Sequence, residues 1–312
     1  MSITSAASLE FEPPKSIWSI RLRALRQDRA AMLGAWVLAL IVLLCLSVEW
    51  IEQFAGITGV ETDLLSRFDA PSLLHWLGTD EAGRDELMRL LRGGRVSLSI
   101  GLMAALGSSM IGVVIGASAG YFRGKTDALL MRFTDFMMSL PSLPLLIILA
   151  ALDLTKLGFS NDFVRSGDAG YWRIVVILIV LGWTGVARLM RASTLALHSS
   201  EFVLAARAQG ASTLRILSVH VIPNAISPVI VATTLATGRV ILVESALSFL
   251  GVGIQPPSTS WGSMLNNAQE LLISDPPLAI YPGVIILIAV VAINFFGDGL
   301  QRAFDPRSVG RV

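Results

Sequence analysis

Runs of about 20 mostly apolar residues set the terms for this chain. A helix of that length crosses the hydrocarbon of a bilayer, where every backbone N–H and C=O must be satisfied within the segment. Six stretches have the length or nearly so: Ala30 to about Trp50, Val96 to Phe122, Ala128 to Leu152, Tyr171 to Leu189, Asn224 to about Gly251, and Pro277 to Gly297. Arg132 and Asp135 fall in the first turns of the third. Only 15% of the residues are charged, against roughly 25% in soluble domains. An all-α, polytopic membrane protein with six transmembrane helices is expected. The net charge of +1 implies no nucleic-acid surface. Cys45, the single cysteine, lies inside the first run, so neither a disulfide framework nor a cysteine metal site is expected.

Basic residues set the orientation. Lys15, Arg21, Arg23, Arg26 and Arg29 precede the first span; Arg123 and Lys125 follow the second. Arg188, Arg191, Arg207 and Arg215 follow the fourth, and Arg302, Arg307 and Arg311 the sixth. With six spans these regions share one side, which places both termini in the cytoplasm. Val252 to Pro276 has no Lys or Arg, although the first outer loop holds Arg67, Arg84, Arg89 and Arg92. The polar start MSITSAASLEFEPPKS is not a cleavable signal peptide, so the first span is expected to remain as an anchor. The expected organisation is a cytoplasmic arm 1–29, a first span 30–51, an outer (periplasmic) segment 52–93, a transmembrane domain 94–305 with a cytoplasmic loop 190–224, and a tail 306–312.

Several motifs lead nowhere. Gly120 to Thr126 resembles a phosphate-binding loop but has three residues between its glycines instead of four, and no short strand before them. Gly116-Ala-Ser118-Ala-Gly120 matches a nucleophile elbow in letters only, since it sits inside an apolar helix. Gly112, Gly116 and Gly120, at four-residue spacing, instead form a face on which two membrane helices can approach closely. His75, His198 and His220 are scattered. No catalytic residue, metal site or cofactor is expected. Arg239 and Glu244 in the fifth run, and Asn294 in the sixth, are expected in the bundle or along a water-filled path, as lining residues or in pairs with neighbouring helices.

The stretch from Ser199 to Asn224 is charged and patterned between apolar runs. Ser199 or Ser200 can cap a first short helix, with Glu201 at its positive end and Arg207 near the other. Gly210 supplies the left-handed residue that stops it. Ser212 can cap a second helix, which must end before Pro223. Ala205, Ala206 and Ala208 have little bulk, so the first helix can lie close against another protein. The alternative is an amphipathic hairpin lying at the membrane surface with no partner.

That stretch resembles the cytoplasmic "EAA" loop of ABC-importer permeases, E-A-A-x3-G-x9-I-x-L-P. Ala205, Ala206, Gly210 and Pro223 fall at the required spacing; Leu204, His220 and Ile222 depart from it. Glu201 stands three residues before the usual Glu, and E-F-V-x-A-A-R-x-x-G-A-S resembles the dipeptide/oligopeptide subfamily. So do His75-Trp-Leu-Gly-Thr-Asp80-Glu-Ala-Gly-Arg-Asp85, Arg95 to Gly101, Ser248-Phe-Leu-Gly-Val-Gly253-Ile-Gln-Pro-Pro257, Ser260-Trp-Gly262, Gly297 to Leu300 and Asp305-Pro-Arg307. The basic arm resembles that of the C-type permease subunit. Segments 52–72 and 153–173 depart from the pattern.

The resemblance implies a permease subunit of a type I importer in a bacterial inner membrane. It moves short peptides from periplasm to cytoplasm by alternating access, or else a nickel chelate, glutathione or a modified peptide. Its partners are a second, homologous permease, two ABC ATPases that hold ATP and Mg, a periplasmic solute-binding protein and membrane lipid. Glu201, Ala205, Ala206, Arg207, Gly210, Ala211 and Pro223 then form the contact with the ATPase, and the elbow passes its motion to spans four and five. An ion-coupled secondary transporter is the competing class; it predicts acidic or histidine relays and repeated spans, and little of either is visible.

Overall fold

The computed structural model describes residues 17–165, 167–266, 271–273 and 275–305. Lys15, Arg307, Arg311 and the tail 306–312 lie outside the described residues. The helices are α1 (Ile17–Gln27), α2 (Arg29–Leu46), α3 (Val48–Ala55), α4 (Glu86–Phe122), α5 (Gly124–Ser139), α6 (Ser142–Ala150), α7 (Asn161–Arg165), α8 (Gly167–Gly182), α9 (Thr184–Leu197), α10 (Glu201–Ala208), α11 (Thr213–Arg215), α12 (Ile222–Phe249), α13 (Trp261–Met264) and α14 (Pro276–Phe304). A π-helical segment, Ile216–Val221, joins α11 to α12. Among the described residues there is no strand, only an isolated bridge between Thr79 and Asp85.

Four continuous helices are long and apolar enough to cross a membrane: α2, α4, the unbroken stretch Thr213–Phe249, and α14. Two bent pairs bring the total to as many as six spans. The third expected span is the pair α5 and α6, which turns by 81°. Pro141 causes the break: it forces Leu140 out of helical geometry, to ψ 136°. The fourth pairs α8 with α9, bent by 40° at Trp183.

The expectation that a helix ends before Pro223 is corrected. The helix runs through, because the turn widens ahead of the proline. Ile222 N–H reaches back to Leu217 C=O, and Asn224 Nδ2 donates to His220 C=O at 2.6 Å. A π-turn accommodates the ring and the missing N–H that a regular α-turn does not.

Helix α4 is the axle. Its Gly112, Gly116 and Gly120 lie directly against the α9 backbone: an added Cβ at Gly116 would sit 2.2 Å from Ala187 O. Its other faces meet α2, α8 and α12. Ile100, Ala104, Ile174, Val175 and Leu247 fill the centre between α4, α8 and α12. Leu33, Trp36, Leu40 and Leu43 point outward from α2, as lipid-facing side chains do.

The bundle has two distinct ends. At one, Arg21 of α1 donates to Ser227 and lies over the Phe304 ring, and Arg302 pairs with Asp28, the N-cap of α2. The Ser199–Asn224 elbow belongs to this end. The other carries α3, the 56–85 loop and α13, and is called the loop end below.

Candidate functional site

The elbow helix α10 is short and half-sunk. Val203 and Ala206 are buried with Ile216 and Val221, and Tyr121 packs against them. Phe202, Leu204, Ala205, Arg207 and Gly210 are exposed. Ser200 stands at the N-cap position, yet its hydroxyl donates to Leu197 C=O at 2.6 Å and makes no cap. The helix stops in a Schellman turn: Gly210 N–H bonds Arg207 C=O, Ala211 N–H bonds Ala206 C=O, and Gly210 has φ +77°. Ser212 caps the next helix by accepting from Arg215 N–H. Arg207 lies over the Tyr121 ring at 5.6 Å and touches His198. Burial, with Arg123 and Arg207 nearby, holds the His198 pKa below the usual imidazole value.

The result is a projection whose outward face carries Glu201, Leu204, Ala205 and Ala208, with Phe202 and Arg207 exposed at its flanks. Such a face at a polar end of a membrane bundle is suited to contact with another protein.

At the loop end, arginines are spent on carboxylates. Asp80 takes Arg84 and Arg89, and also accepts from the N–H groups of Ala82 and Arg84. Glu52 of α3 takes Arg92 and the Gly59 N–H. Burial raises the Glu52 pKa, but those donors outweigh it and bring it below the usual carboxylate value. Asp85 caps α4 through Met88 N–H and binds His75 Nδ1 at 3.0 Å. The His75–Asp85 signature is therefore a self-locked loop.

The deepest polar cluster is also here. Glu244 is 0% exposed and accepts from the hydroxyls of Ser248 at 2.7 Å, Ser260 at 2.7 Å and Ser97 at 3.2 Å. Trp261 is equally buried and donates its indole N–H to Leu90 C=O at 2.9 Å. A separate apolar concavity of about 940 Å³ opens between α2, α4, α12 and α14; Ser99, Ser109, Thr233, Thr234 and Thr237 are among its lining residues, the threonine hydroxyls bonded back to their own helix.

Residues 112–309 match the family model described as the binding-protein-dependent transport system inner membrane component. The chain belongs to this family. Residues 16–70 of the permease match a second model, the N-terminal transmembrane domain of oligopeptide transport permease C. The permease is 38% identical over 90% of its length to a Brucella suis protein provisionally named a peptide permease, and covers 88% of that protein. It is 34% identical to the Bacillus subtilis oligopeptide transport system permease protein, over 94% of this chain and 90% of that one. It is 35% identical to the Pectobacterium atrosepticum glutathione transport system permease protein, over 95% and 91%. Among solved structures, the inward-facing MetNI methionine ABC transporter superposes with a TM-score of 0.54 at 19% identity, over 69% of this chain and 95% of that one. The fold is thus that of a type I ABC importer permease, and the chain is a non-catalytic permease subunit of the dipeptide/oligopeptide branch. The families of its relatives imply ATPase and binding-protein partners.

Within this permease the predicted site residues separate. Glu201, Ala205, Arg207, Gly210 and Pro223 lie exposed on the elbow and its exit, and Ala211 is half-buried. Ala206, expected at the contact, is turned into the permease's own cluster, so it sets the helix's seat and not its outer face. Glu244, expected along a pathway, is enclosed by serines; its position five residues after exposed Arg239 puts it on the other side of α12. Asn294 is exposed, and neither it nor Arg239 lines the 940 Å³ concavity. Ser97, Ser248, Ser260 and Trp261 had no assigned role at the sequence level. The Ser-Trp-Gly triplet was the available signal, a large aromatic between two small residues in an outer loop.

Proposed function

We propose that the elbow, Glu201–Gly210 above all, is the seat of an ABC ATPase, and that this permease imports short peptides by alternating access across a bacterial inner membrane. The observation that carries it is the outward face of α10, where Leu204 (48% exposed) and Ala205 stand beside Glu201, with Phe202 41% exposed at the flank, on a helix fixed from below by Val203 and Ala206. Arg21, Arg23, Arg26, Arg123, Lys125, Arg188, Arg191, Arg207, Arg215 and Arg302 gather at this end, and that concentration of basic residues supports a cytoplasmic elbow. The unbroken helix Thr213–Phe249 then carries ATPase motion into the bundle. A second, homologous permease closes the apolar concavity, and a solute-binding protein delivers the solute at the loop end.

Gly210→Pro removes the N–H that closes the turn and forbids φ +77°. Ala205→Trp blocks the face without touching the core. Both are expected to abolish uptake of a labelled tripeptide and to cause loss of the tagged ATPase on purification, with membrane insertion unchanged. Normal uptake and ATPase retention in both variants sink the reading. Mass spectrometry of solute retained by the cognate binding protein separates a peptide from glutathione, a nickel chelate or a modified peptide.

A further inference from the structure

The cluster around Glu244 has a direction. Each of its three serines accepts a proton from the backbone of the loop end or its short helix: Ile254 N–H bonds Ser248 Oγ at 3.0 Å, Trp261 N–H bonds Ser97 Oγ at 3.1 Å, and Ser263 N–H bonds Ser260 Oγ at 3.1 Å. A hydroxyl has one proton to give. With the serine oxygens engaged by N–H groups, each proton points at Glu244. Three N–H to O–H to carboxyl relays therefore converge on one side chain. Such chains polarise one another.

The relays come from three pieces of the chain. Ser97 belongs to α4, Ser248 to α12, and Ser260 to the loop that follows α12. The packing around them leaves little freedom. A Cβ on Gly262 would lie 2.4 Å from Ser245 Cα, and one on Gly253 would lie 2.0 Å from Ser248 Oγ. Trp261 occupies the slot that Gly93 and Gly94 open in α4. The loop is thus bonded and wedged at once, and Glu244 is the point where its ties to α4 and α12 meet.

We propose that Glu244 is a positioning residue for transport: it clamps residues 252–264 to α4 and α12, so that this outer loop moves as one body with the helix that begins at the elbow. The inference rests on the ATPase reading of the elbow. Under it, closure of the ATPases at one end changes the state of the loop where solute is delivered at the other.

The test is amide hydrogen exchange on the whole importer in lipid nanodiscs, with and without ATP plus vanadate to trap the ATPases closed. In the unaltered protein, trapping is expected to change exchange severalfold in both 199–221 and 252–264. Glu244→Gln puts two amide protons among oxygens already engaged. It is expected to speed exchange at Ile254, Trp261 and Ser263 at least tenfold and to erase the nucleotide-dependent difference in 252–264, leaving that in 199–221. Glu244→Asp, which keeps the carboxyl, should recover part of the difference. Tyr171→Phe removes the Tyr171–Ser99 bond between α8 and α4 and should leave the difference whole. If Glu244→Gln does not assemble, Ser97→Ala and Ser260→Ala each remove one relay and are read in the same way. A loop difference that survives loss of the relays overturns the clamp, as does a loop in the unaltered protein that ignores trapping while the elbow responds. Equal loss in Tyr171→Phe also overturns it. Failure of the elbow reading looks different: trapping then leaves 199–221 unchanged in the unaltered protein.

Discussion

The elbow end and the loop end of this permease solve opposite problems. At the elbow, a four-residue buried cluster seats a short helix, and Phe202, Leu204 and Ala205 are left bare beside Glu201 and Arg207. At the loop end the seat is polar: Asp80, Glu52 and Asp85 tie down their own loops and Glu244 is enclosed by hydroxyls, while Leu65, Leu73 and Trp76 stand exposed above them. One seat is apolar and keeps its outer face for another surface; the other is a polar network that completes itself beneath a bare apolar loop. Buried polar networks fix one geometry when every member is satisfied, whereas a seated helix with an exposed outer face keeps its strongest contact for a partner.

The strongest way to break this contrast is at Trp261. Trp261→Ala leaves a cavity and removes the indole bond to the Leu90 carbonyl, a loss of about 3–5 kcal/mol. It should lower the thermal unfolding midpoint in detergent far more than any elbow variant. Next is the axle: Gly116→Val pushes α9 away from α4, a cost of about 1–3 kcal/mol, measured as the same shift in midpoint. Gly210→Ala then tests the elbow's own fold. A non-glycine residue in the left-handed region costs roughly 1–2 kcal/mol, and faster exchange confined to 199–212 should report it. Phe202→Ala should change stability by less than about 0.5 kcal/mol while reducing the amount of ATPase that co-purifies. A large drop in midpoint for this variant would show that the elbow also completes itself.

The smallest effect comes from pH. His198 has its pKa below the unfolded value, so the unfolded chain takes up the proton first as pH falls. Elbow stability should therefore decline as pH drops through about 6.5 and level off below the folded pKa. The imidazole is only half-buried, so the change will be modest; exchange rates in 199–212 at pH 7.5 and 5.5 measure it.

Much of the architecture is legible in the order of residues, because a span needs only length and apolar content. The glycine spacing at 112, 116 and 120 and the stop at Gly210 are also local signals. What is not legible arises where distant or competing forces decide. Pro141 signals a break, but the apolar run around it continues unbroken in composition, so only geometry reveals the 81° turn. The π-segment before Pro223 depends on where a freed carbonyl finds Asn224. Glu244 reads as an intramembrane charge seeking a pathway because two of its partners, Ser97 and Ser260, lie 147 and 16 residues away. Ala206 differs from Ala205 only in the direction given by one residue's turn of the helix, about 100°.

The α4 axle also foretells where this protein tolerates change. Gly93 and Gly94 admit Trp261, Gly101 admits Ile241, Gly107 admits Ile179, and Gly112, Gly116 and Gly120 admit α9. These positions trace strips along a helix whose remaining surface includes exposed Leu102, Met110 and Val114. A saturation library over 86–122, read by membrane insertion and folding of this chain, should therefore separate by direction and not by depth: one added methyl is harmful along the strips, and large apolar exchanges between them leave folding intact.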